Sequence, residues 1–269
     1  MKPSAPLIRW AGSKRLYVRR LSQFIDRNPT RYLEPFCGSA AVYFSISPSN
    51  AILSDVNSSL IEFYRATRDD PVQVYRTAAG IPRDRKTYYS IRAQFNTEND
   101  DLRKAAYFYY LNKNCFNGLY RTCKEGRFNV PFSESRTGLY PTEEAFAAAS
   151  RCLKRAKILC GDFEAVVRKY CKRHDVVYLD PPYSSTYRYP FREYFPGSFC
   201  VDDFSRLNET LSYIDDIGAT FVLTYSRTLP LISLKPHWHS YQFRSRRNIS
   251  GISSVRRNVN DVILTNCPL

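Results

Sequence analysis

The stretch Val-Val-Tyr-Leu-Asp-Pro-Pro-Tyr at residues 176–183 determines how the rest of the chain is interpreted. Its first four residues are apolar or aromatic and favour β structure, so they predict a buried strand. Pro181 and Pro182 lack the backbone donor that a central strand needs, so the chain has to leave the sheet at Asp180. A carboxylate and the phenol ring of Tyr183 are thereby placed at the carboxyl end of a strand, where open α/β sheets bind ligands.

These groups suit a planar ring that carries an exocyclic amine, such as adenine or cytosine. Asp180 and the carbonyl of Pro181 can each accept a hydrogen bond from the amine, and Tyr183 offers a flat face for stacking. Two acceptors favour a pyramidal nitrogen whose lone pair points at an electrophile, and they stabilise the charge that develops there. The competing interpretation is a tight turn with a solvated carboxylate.

The composition favours a polyanionic partner. The 269 residues include 40 Lys and Arg against 25 Asp and Glu, a formal net charge of +15, and 15% are aromatic. A basic excess of this size favours nucleic acid, and the aromatic content suits stacking on bases. No apolar run approaches the roughly 20 residues of a membrane span, and the N-terminus has no apolar signal region. We therefore expect a cytoplasmic protein that binds no membrane.

Neither a metal centre nor a redox centre is predicted. The eight cysteines include no Cys-x-x-Cys pair, so free thiols in a reducing compartment are expected. His237 and His239 would share one face of a strand, but no third metal ligand is evident.

The region before residue 60 has features of a nucleotide site. Residues 32–42 predict a short strand, a turn of small residues and a helix start whose amides face the crevice. A second strand at 51–55 ends in Asp55, near the spacing from Gly38 at which an acid holds ribose hydroxyls. Asp55 could instead be an acid favoured by the dipole of a helix that Asn57 caps. Further upstream, we expect Ser13 to cap a helix running to about residue 27.

The middle of the chain predicts a mostly helical insertion. Helical periodicity dominates residues 71–150, and a hairpin is expected near 117–132, where Asn-Gly and a polar Gly-containing turn occur. Aromatics alternate with amides and cations in the hairpin, which suits contact with nucleic acid. A polar surface loop over a small aromatic cluster is the alternative. We divide the chain into catalytic parts at 1–56 and 151–269 and an insertion at 57–150.

The second catalytic part returns to strands and helices. A strand at 156–160 leads to Asp162, a predicted N-cap. Residues 204–214 show a helical stripe, while 220–225 and 262–265 predict further strands. The arginines between 244 and 257 are either a solvated loop or phosphate contacts.

Five separated motifs together resemble the Dam-like DNA adenine methyltransferases of the D12 class, over nearly the whole chain. They are the opening at 9–14, the Glu-Pro-Phe segment at 34–42, Asp162-Phe163, the hairpin and the Asp-Pro-Pro-Tyr stretch. Arg9 stands where the family has Lys, and Ser13, Ser39 and Ala40 stand where it has glycines. The resemblance implies a Rossmann-like α/β fold, with a mostly parallel sheet, helices on both faces and a helical target-recognition insertion carrying a β-hairpin.

The resemblance also implies the roles of individual residues. Methyl transfer falls on four residues: Asp180, Pro181, Pro182 and Tyr183. Binding of the methyl donor S-adenosylmethionine falls on a larger set: Trp10, Ala11, Gly12, Lys14, Phe36, Gly38, Ser39, Asp55, Asp162 and Phe163. The remaining residues would contact duplex DNA: Phe116, Asn117, Leu119, Arg121, Pro131, Arg246 and Arg247. Among them, Arg121 would recognise a guanine and Phe116 would fill space beside the displaced base.

The implied activity is transfer of a methyl group to the exocyclic amine of adenine, without a metal, leaving S-adenosylhomocysteine. The target base would leave the duplex to reach Asp180. GATC or a related short site is the expected target, and a monomer in solution with a possible dimer on DNA is the expected state. Methylation of the cytosine amine and a DNA-binding relative without catalysis stay open; a protein-glutamine methyltransferase is disfavoured by Asp180 and the charge.

Overall fold

A twisted sheet of seven strands forms the centre of the described chain. The computed structural model describes residues 4–25, 29–134, 137–182, 201–226, 235–248 and 256–268, with only the backbone for residues 201, 226, 244–248 and 256–260. The strands are β1 (Tyr32–Glu34), β2 (Ala51–Asp55), β3 (Ala156–Cys160), β4 (Val176–Leu179), β5 (Thr220–Ser226), β6 (His239–Asn248) and β7 (Arg256–Thr265).

The strand order is β3-β2-β1-β4-β5-β7-β6. The first five strands in that order are parallel, and β7 pairs antiparallel with both β5 and β6. The chain steps outward from β1 to β2 and β3 and then returns to place β4 on the other side of β1. This reversal between β1 and β4 is the topological switch point at which doubly wound sheets open a ligand crevice. The predicted Rossmann-like fold is confirmed.

Helices cover both faces of the sheet. They are α1 (Val18–Leu21), α2 (Ala41–Ile46), α3 (Ser58–Asp69), α4 (Pro71–Ala79), α5 (Arg85–Phe95), α6 (Asp101–Asn114), α7 (Glu143–Leu153), α8 (Phe163–Tyr170) and α9 (Val201–Asp216). Side chains alternate along each strand, so the two faces bury different residues. Tyr178 and Val222 belong to the core that includes α2–α7, whereas Val177 and Leu223 belong to the core under α8 and α9.

The middle of the chain is helical, as predicted, from α4 to α7. Each of these helices starts at a side-chain cap: Asp70, Asp84, Asp100 and Thr142 accept a hydrogen bond from the amide three residues later. Such caps satisfy amides that have no partner inside the helix. Among the described residues no helix is long and apolar enough to cross a membrane.

The two caps predicted at Asn57 and Asp162 are present, but the first predicted helix is wrong. Asn57 caps α3 and Asp162 caps α8 through their side chains. The helix expected from Ser13 to about residue 27 is reduced to a 3₁₀ turn at Lys14–Leu16 followed by the single turn of α1. Ser13 does not cap it, because its hydroxyl accepts a hydrogen bond from Ser39 Oγ at 2.8 Å. Contact with the 36–39 loop therefore overrides the local helical pattern.

The predicted hairpin is present as a short antiparallel ladder within the insertion. Thr122 and Phe128 form a β-bridge, and the amide of Cys123 donates to the carbonyl of Arg127 at 2.9 Å. By contrast, the expected common strand face of His237 and His239 is wrong. His239 begins β6, whereas His237 precedes the strand and binds Asp215 through Nε2 at 2.8 Å.

Candidate active site

Asp180 lies directly after β4 and is held there by side chains from two other segments. Lys14 Nζ lies 2.5 Å from Asp180 Oδ1 and 2.7 Å from Oδ2. Thr224 of β5 donates from Oγ1 to Asp180 Oδ1 at 2.8 Å. Lys14 is only 5% exposed and Thr224 is fully buried. The carboxylate expected at the strand end is therefore fixed in one orientation at the carboxyl edge of the sheet.

Lys14 reaches Asp180 from the 3₁₀ turn at Lys14–Leu16. Its Nζ also donates to the carbonyl of Gly12 at 3.2 Å. Ala11 and Gly12 are exposed, and Gly12 has a φ of +77°, a conformation that favours glycine. The opening segment thus places the ammonium group of Lys14 against Asp180.

The 36–39 loop and Asp55 lie beside each other at the carboxyl ends of β1 and β2. Asp55 accepts from the amide of Gly38 at 3.0 Å through Oδ2 and from the amide of Asn57 at 3.0 Å through Oδ1. Burial raises the pKa of Asp55, and the two amides offset part of that rise. Ser39 is buried against Ser13, and Phe36 is half-buried. Since each carboxylate oxygen can accept two hydrogen bonds, Asp55 can still accept from a hydroxyl while it holds the loop.

Trp10 packs against this loop and connects it to the insertion. A Cβ on Gly38 would lie 2.7 Å from Trp10 Cδ1, so glycine allows the indole to approach, and the φ of Gly38 is +46°. On its other side Trp10 stacks on Tyr120, with ring centroids 5.9 Å apart. Asn112 of α6 binds the backbone of Arg9 through both its amide oxygen and its amide nitrogen. The 36–39 loop and the helical insertion therefore both contact the opening segment.

Asp162 and Phe163 lie at the carboxyl end of β3, as expected from the sequence. Phe163 is buried and stacks on Phe36 with ring centroids 5.0 Å apart. Arg206 of α9 lies over the Phe163 ring at 5.0 Å and forms an ion pair with Asp162. Asp162 also caps α8. The carboxylate and an aromatic pair thus lie side by side at the carboxyl end of β3.

Glu34 is a buried carboxyl group whose chemistry the sequence did not reveal. It is 3% exposed at the end of β1 and accepts from Tyr32 Oη at 2.9 Å and from the amide of Tyr43 at 3.2 Å. Burial raises the pKa of Glu34 to about 8, opposed by these two donors and reinforced by the negative charge of Asp180. Its place within a Glu-Pro-Phe segment was the available signal, but only the neighbouring strands show that it lies near Asp180.

Five of the seven residues predicted to contact DNA lie on the insertion. Phe116 and Leu119 are 40% and 37% exposed. Asn117 has a φ of +53°, and the carbonyl of Pro131 accepts from the amide of Phe116 at 2.9 Å. Arg121 is exposed, and its Nε donates to Asn129 Oδ1 at 2.9 Å. This surface presents apolar and cationic groups to solvent on a rigid loop.

Three of the predicted site residues cannot be placed in this arrangement. Tyr183 lies outside the described residues, and Arg246 and Arg247 are described only as backbone in β6. Pro181 is buried and Pro182 is exposed. Within the described ranges, no group of three or more His, Cys, Asp or Glu is placed to hold a metal ion.

Comparison with known proteins identifies the family. The family profile described as D12 class N6 adenine-specific DNA methyltransferase matches residues 10–255. The chain belongs to this family. The match spans the opening segment, the insertion and the Asp180 site together. It resolves the choice between the adenine and cytosine amines in favour of adenine and makes the protein a methyltransferase rather than a DNA-binding relative without catalysis.

Several relatives in this family match most of the chain. The Type II methyltransferase M.MjaIII of Methanocaldococcus jannaschii is 31% identical over 243 residues, covering 82% of this chain and 84% of the relative. The Retron Ec67 DNA adenine methylase of Escherichia coli is 30% identical over 262 residues, covering 96% and 90%. The DNA adenine methylase of Serratia marcescens is 31% identical over 279 residues, covering 98% of each chain. The D12 methyltransferase described here thus aligns with these relatives over nearly their full length.

Proposed function

We propose that this D12 methyltransferase transfers a methyl group from S-adenosylmethionine to N6 of an adenine in duplex DNA, at GATC or a related short site. The observation that supports this most is the carboxylate of Asp180, which Lys14 and Thr224 hold at the switch point of the sheet. An acceptor at this place can bind the amine of a base and face a donor in the crevice.

The crevice residues fit the proposed donor. Asp55 has the acceptor capacity for ribose hydroxyls at the end of β2, where it also accepts from the amide of Gly38. The stacked rings of Phe36 and Phe163 offer an apolar wall for the adenine of the donor, with Asp162 as an acceptor for its amine. When bound, S-adenosylmethionine supplies an electrophilic methyl group on a sulfonium. The protein then has to hold donor and acceptor in line, which is how proximity accelerates a transfer.

Asp180 would bind the amine of the target adenine, and the carbonyl of Pro181 would accept its second proton. Both acceptors favour a lone pair directed at the donor and stabilise the positive charge that develops on the nitrogen. The amine of a paired base cannot reach this position, so the adenine would leave the stack. Tyr183 would then provide the stacking surface.

Lys14 has a second role in this proposal. Its Nζ bridges both oxygens of Asp180, so the target amine has to share the carboxylate with it. A cation at this point balances the partly buried negative charge of Asp180 when no base is bound. Lys14 would therefore orient Asp180 as well as line the donor crevice.

Recognition of the site is assigned to the exposed insertion surface. Arg121 has the donor geometry that pairs with O6 and N7 of guanine, and Phe116 and Leu119 can fill the space that a displaced base leaves. The net charge of +15 supports contacts with phosphates. The Serratia marcescens relative is named a DNA adenine methylase, which supports the same substrate here.

The experiment that tests the proposal is expression in a host without DNA methylation, followed by sequencing that detects methylated bases. We expect N6-methyladenine within one short motif, and none when Asp180→Asn is expressed. Purified protein should require S-adenosylmethionine for the same reaction. Methylcytosine in place of methyladenine, or methylation by the Asp180→Asn variant at the normal level, would reject the proposal.

A further inference from the structure

Thr224 is a buried side chain that contacts Asp180 and has no role in the sequence motifs described above. The parallel pairing of β4 and β5 places Leu179 opposite Leu223, so Asp180 and Thr224 follow at adjacent positions. β5 continues to Ser226 and therefore extends past the end of β4. Thr224 is thus the first side chain of the neighbouring strand that can reach the Asp180 carboxylate.

The direction of the hydrogen bonds at Thr224 follows from its single proton. Its Oγ1 lies 2.8 Å from Asp180 Oδ1, 3.5 Å from the carbonyl of Leu179 and 3.2 Å from the phenol oxygen of Tyr178. A carboxylate is the strongest acceptor of the three and also the nearest, so the Thr224 proton goes to Asp180. The bond between the two hydroxyls then needs the proton of Tyr178, which is 1% exposed.

From this geometry we infer that Thr224 is a positioning residue for Asp180 and that Tyr178 sets the direction of its hydroxyl. The inference depends on the proposed function, because it assigns Asp180 the role of amine acceptor. Tyr178 and Asp180 are two residues apart, as are Val222 and Thr224, so all four side chains lie on one face of the sheet. Tyr178 and Val222 belong to the core there. Packing fixes both strands, so the hydroxyl fixes the rotamer of the carboxylate as well.

The role is distinct from that of Lys14. Lys14 approaches both oxygens of Asp180 from a short turn outside the sheet, whereas Thr224 reaches only Oδ1 from inside it. Without the Thr224 hydroxyl, Lys14 would still neutralise the charge of Asp180. The hydrogen bond that holds the carboxylate plane in one orientation would be lost. A misdirected acceptor slows the transfer without weakening DNA or donor binding.

Steady-state kinetics of Thr224→Val, Thr224→Ser and Thr67→Val test this role. We expect Thr224→Val, which keeps the shape and removes the hydroxyl, to lower kcat by roughly 10- to 100-fold while KM for DNA and donor affinity stay close to wild type. Thr224→Ser should restore most of kcat. Thr67→Val is the matched control, because Thr67 is also fully buried and its hydroxyl meets no hydrogen-bond partner among the described residues.

Three outcomes would overturn the inference. They are a wild-type kcat for Thr224→Val, a Thr224→Ser enzyme as slow as Thr224→Val, and a loss confined to KM. If Thr224→Val does not fold, the pair Thr224→Ser and Thr224→Ala decides the same question, since equal kcat values would remove the hydroxyl from the mechanism. Tyr178→Phe should lower kcat in the wild-type background but not further in Thr224→Val, and additive losses would show that Tyr178 does not act through Thr224.

The role of Thr224 can be wrong while the proposed function is right. An active wild type, an inactive Asp180→Asn and an unimpaired Thr224→Val would reject only the role of Thr224. An active Asp180→Asn would instead reject the role of Asp180 itself, and with it the proposed mechanism.

Discussion

The Asp180 site and the hairpin of the insertion place their charged groups in opposite environments. Asp180 is fixed by a buried lysine and a buried threonine from two other parts of the chain. Arg121 is exposed, and its Nε bonds to Asn129 eight residues later in the same hairpin. The first arrangement is long-range and rigid, while the second is local and open to a partner. We infer that the chemistry depends on exact orientation and that recognition depends on accessibility.

The largest difference between the two regions should appear in the rate of methyl transfer. Asp180→Ala removes the acceptor from the reacting amine, so we expect kcat to fall by about a thousandfold or more with duplex binding retained. A filter-binding assay and a methyl-transfer assay on the same preparation measure the two effects. Asp216→Ala is the control, because Asp216 lies at the end of α9 and pairs with Lys235. Substantial turnover by Asp180→Ala would contradict the assignment.

The ion pair in the site should also contribute measurably to stability. Lys14 and Asp180 have side chains that are 6% and 18% exposed, so each single substitution leaves a poorly solvated charge. In a double-mutant cycle with Lys14→Met and Asp180→Asn, we expect a coupling of about 2–3 kcal/mol in the free energy of unfolding. Urea titration of the four proteins measures it. Additive changes would show that the contact contributes nothing.

Some features of the Asp180 site could be predicted from the sequence, because they depend on local patterns of residues. The strand before Asp180 is a run of β-favouring residues, and Asn57 and Asp162 precede amphipathic helices as caps do. The pairing of Lys14 with Asp180 joins positions 166 residues apart, and no local pattern encodes it. Thr224 looks like any β-branched residue in a buried strand. Only the alignment of neighbouring strand ends distinguishes it, and that alignment depends on the topology.

A substitution at the hairpin should change which DNA sequences are methylated more than it changes the rate at the preferred site. Arg121→Ala should reduce discrimination against altered sites by about 1–3 kcal/mol, with a small loss of nonspecific affinity. Competition between duplexes that differ at one base pair measures this. Arg127→Ala is the matched control, because Arg127 is exposed on the same hairpin and pairs with Glu125. If both variants changed site preference equally, Arg121 would be one phosphate contact among others.

The two regions should also differ in the pH dependence of their carboxyl groups. Burial raises the pKa of Glu34 to about 8, whereas a side-chain hydrogen bond with Cys123 lowers the pKa of exposed Glu125. Between about pH 4.5 and 8, folded Glu34 holds a proton that the unfolded chain has released, so its contribution to stability is complete at low pH and is lost as pH rises. Glu34→Gln should flatten the fall in unfolding free energy over this range by at most about 1.4 kcal/mol per pH unit. Glu125→Gln should leave the slope unchanged, since the carboxylate of Glu125 is ionised in both states there. Urea titrations from pH 5 to 8 measure the unfolding free energy of the three proteins. If it fell with pH equally for wild type and Glu34→Gln, Glu34 would be ionised in the folded protein and the prediction would be wrong.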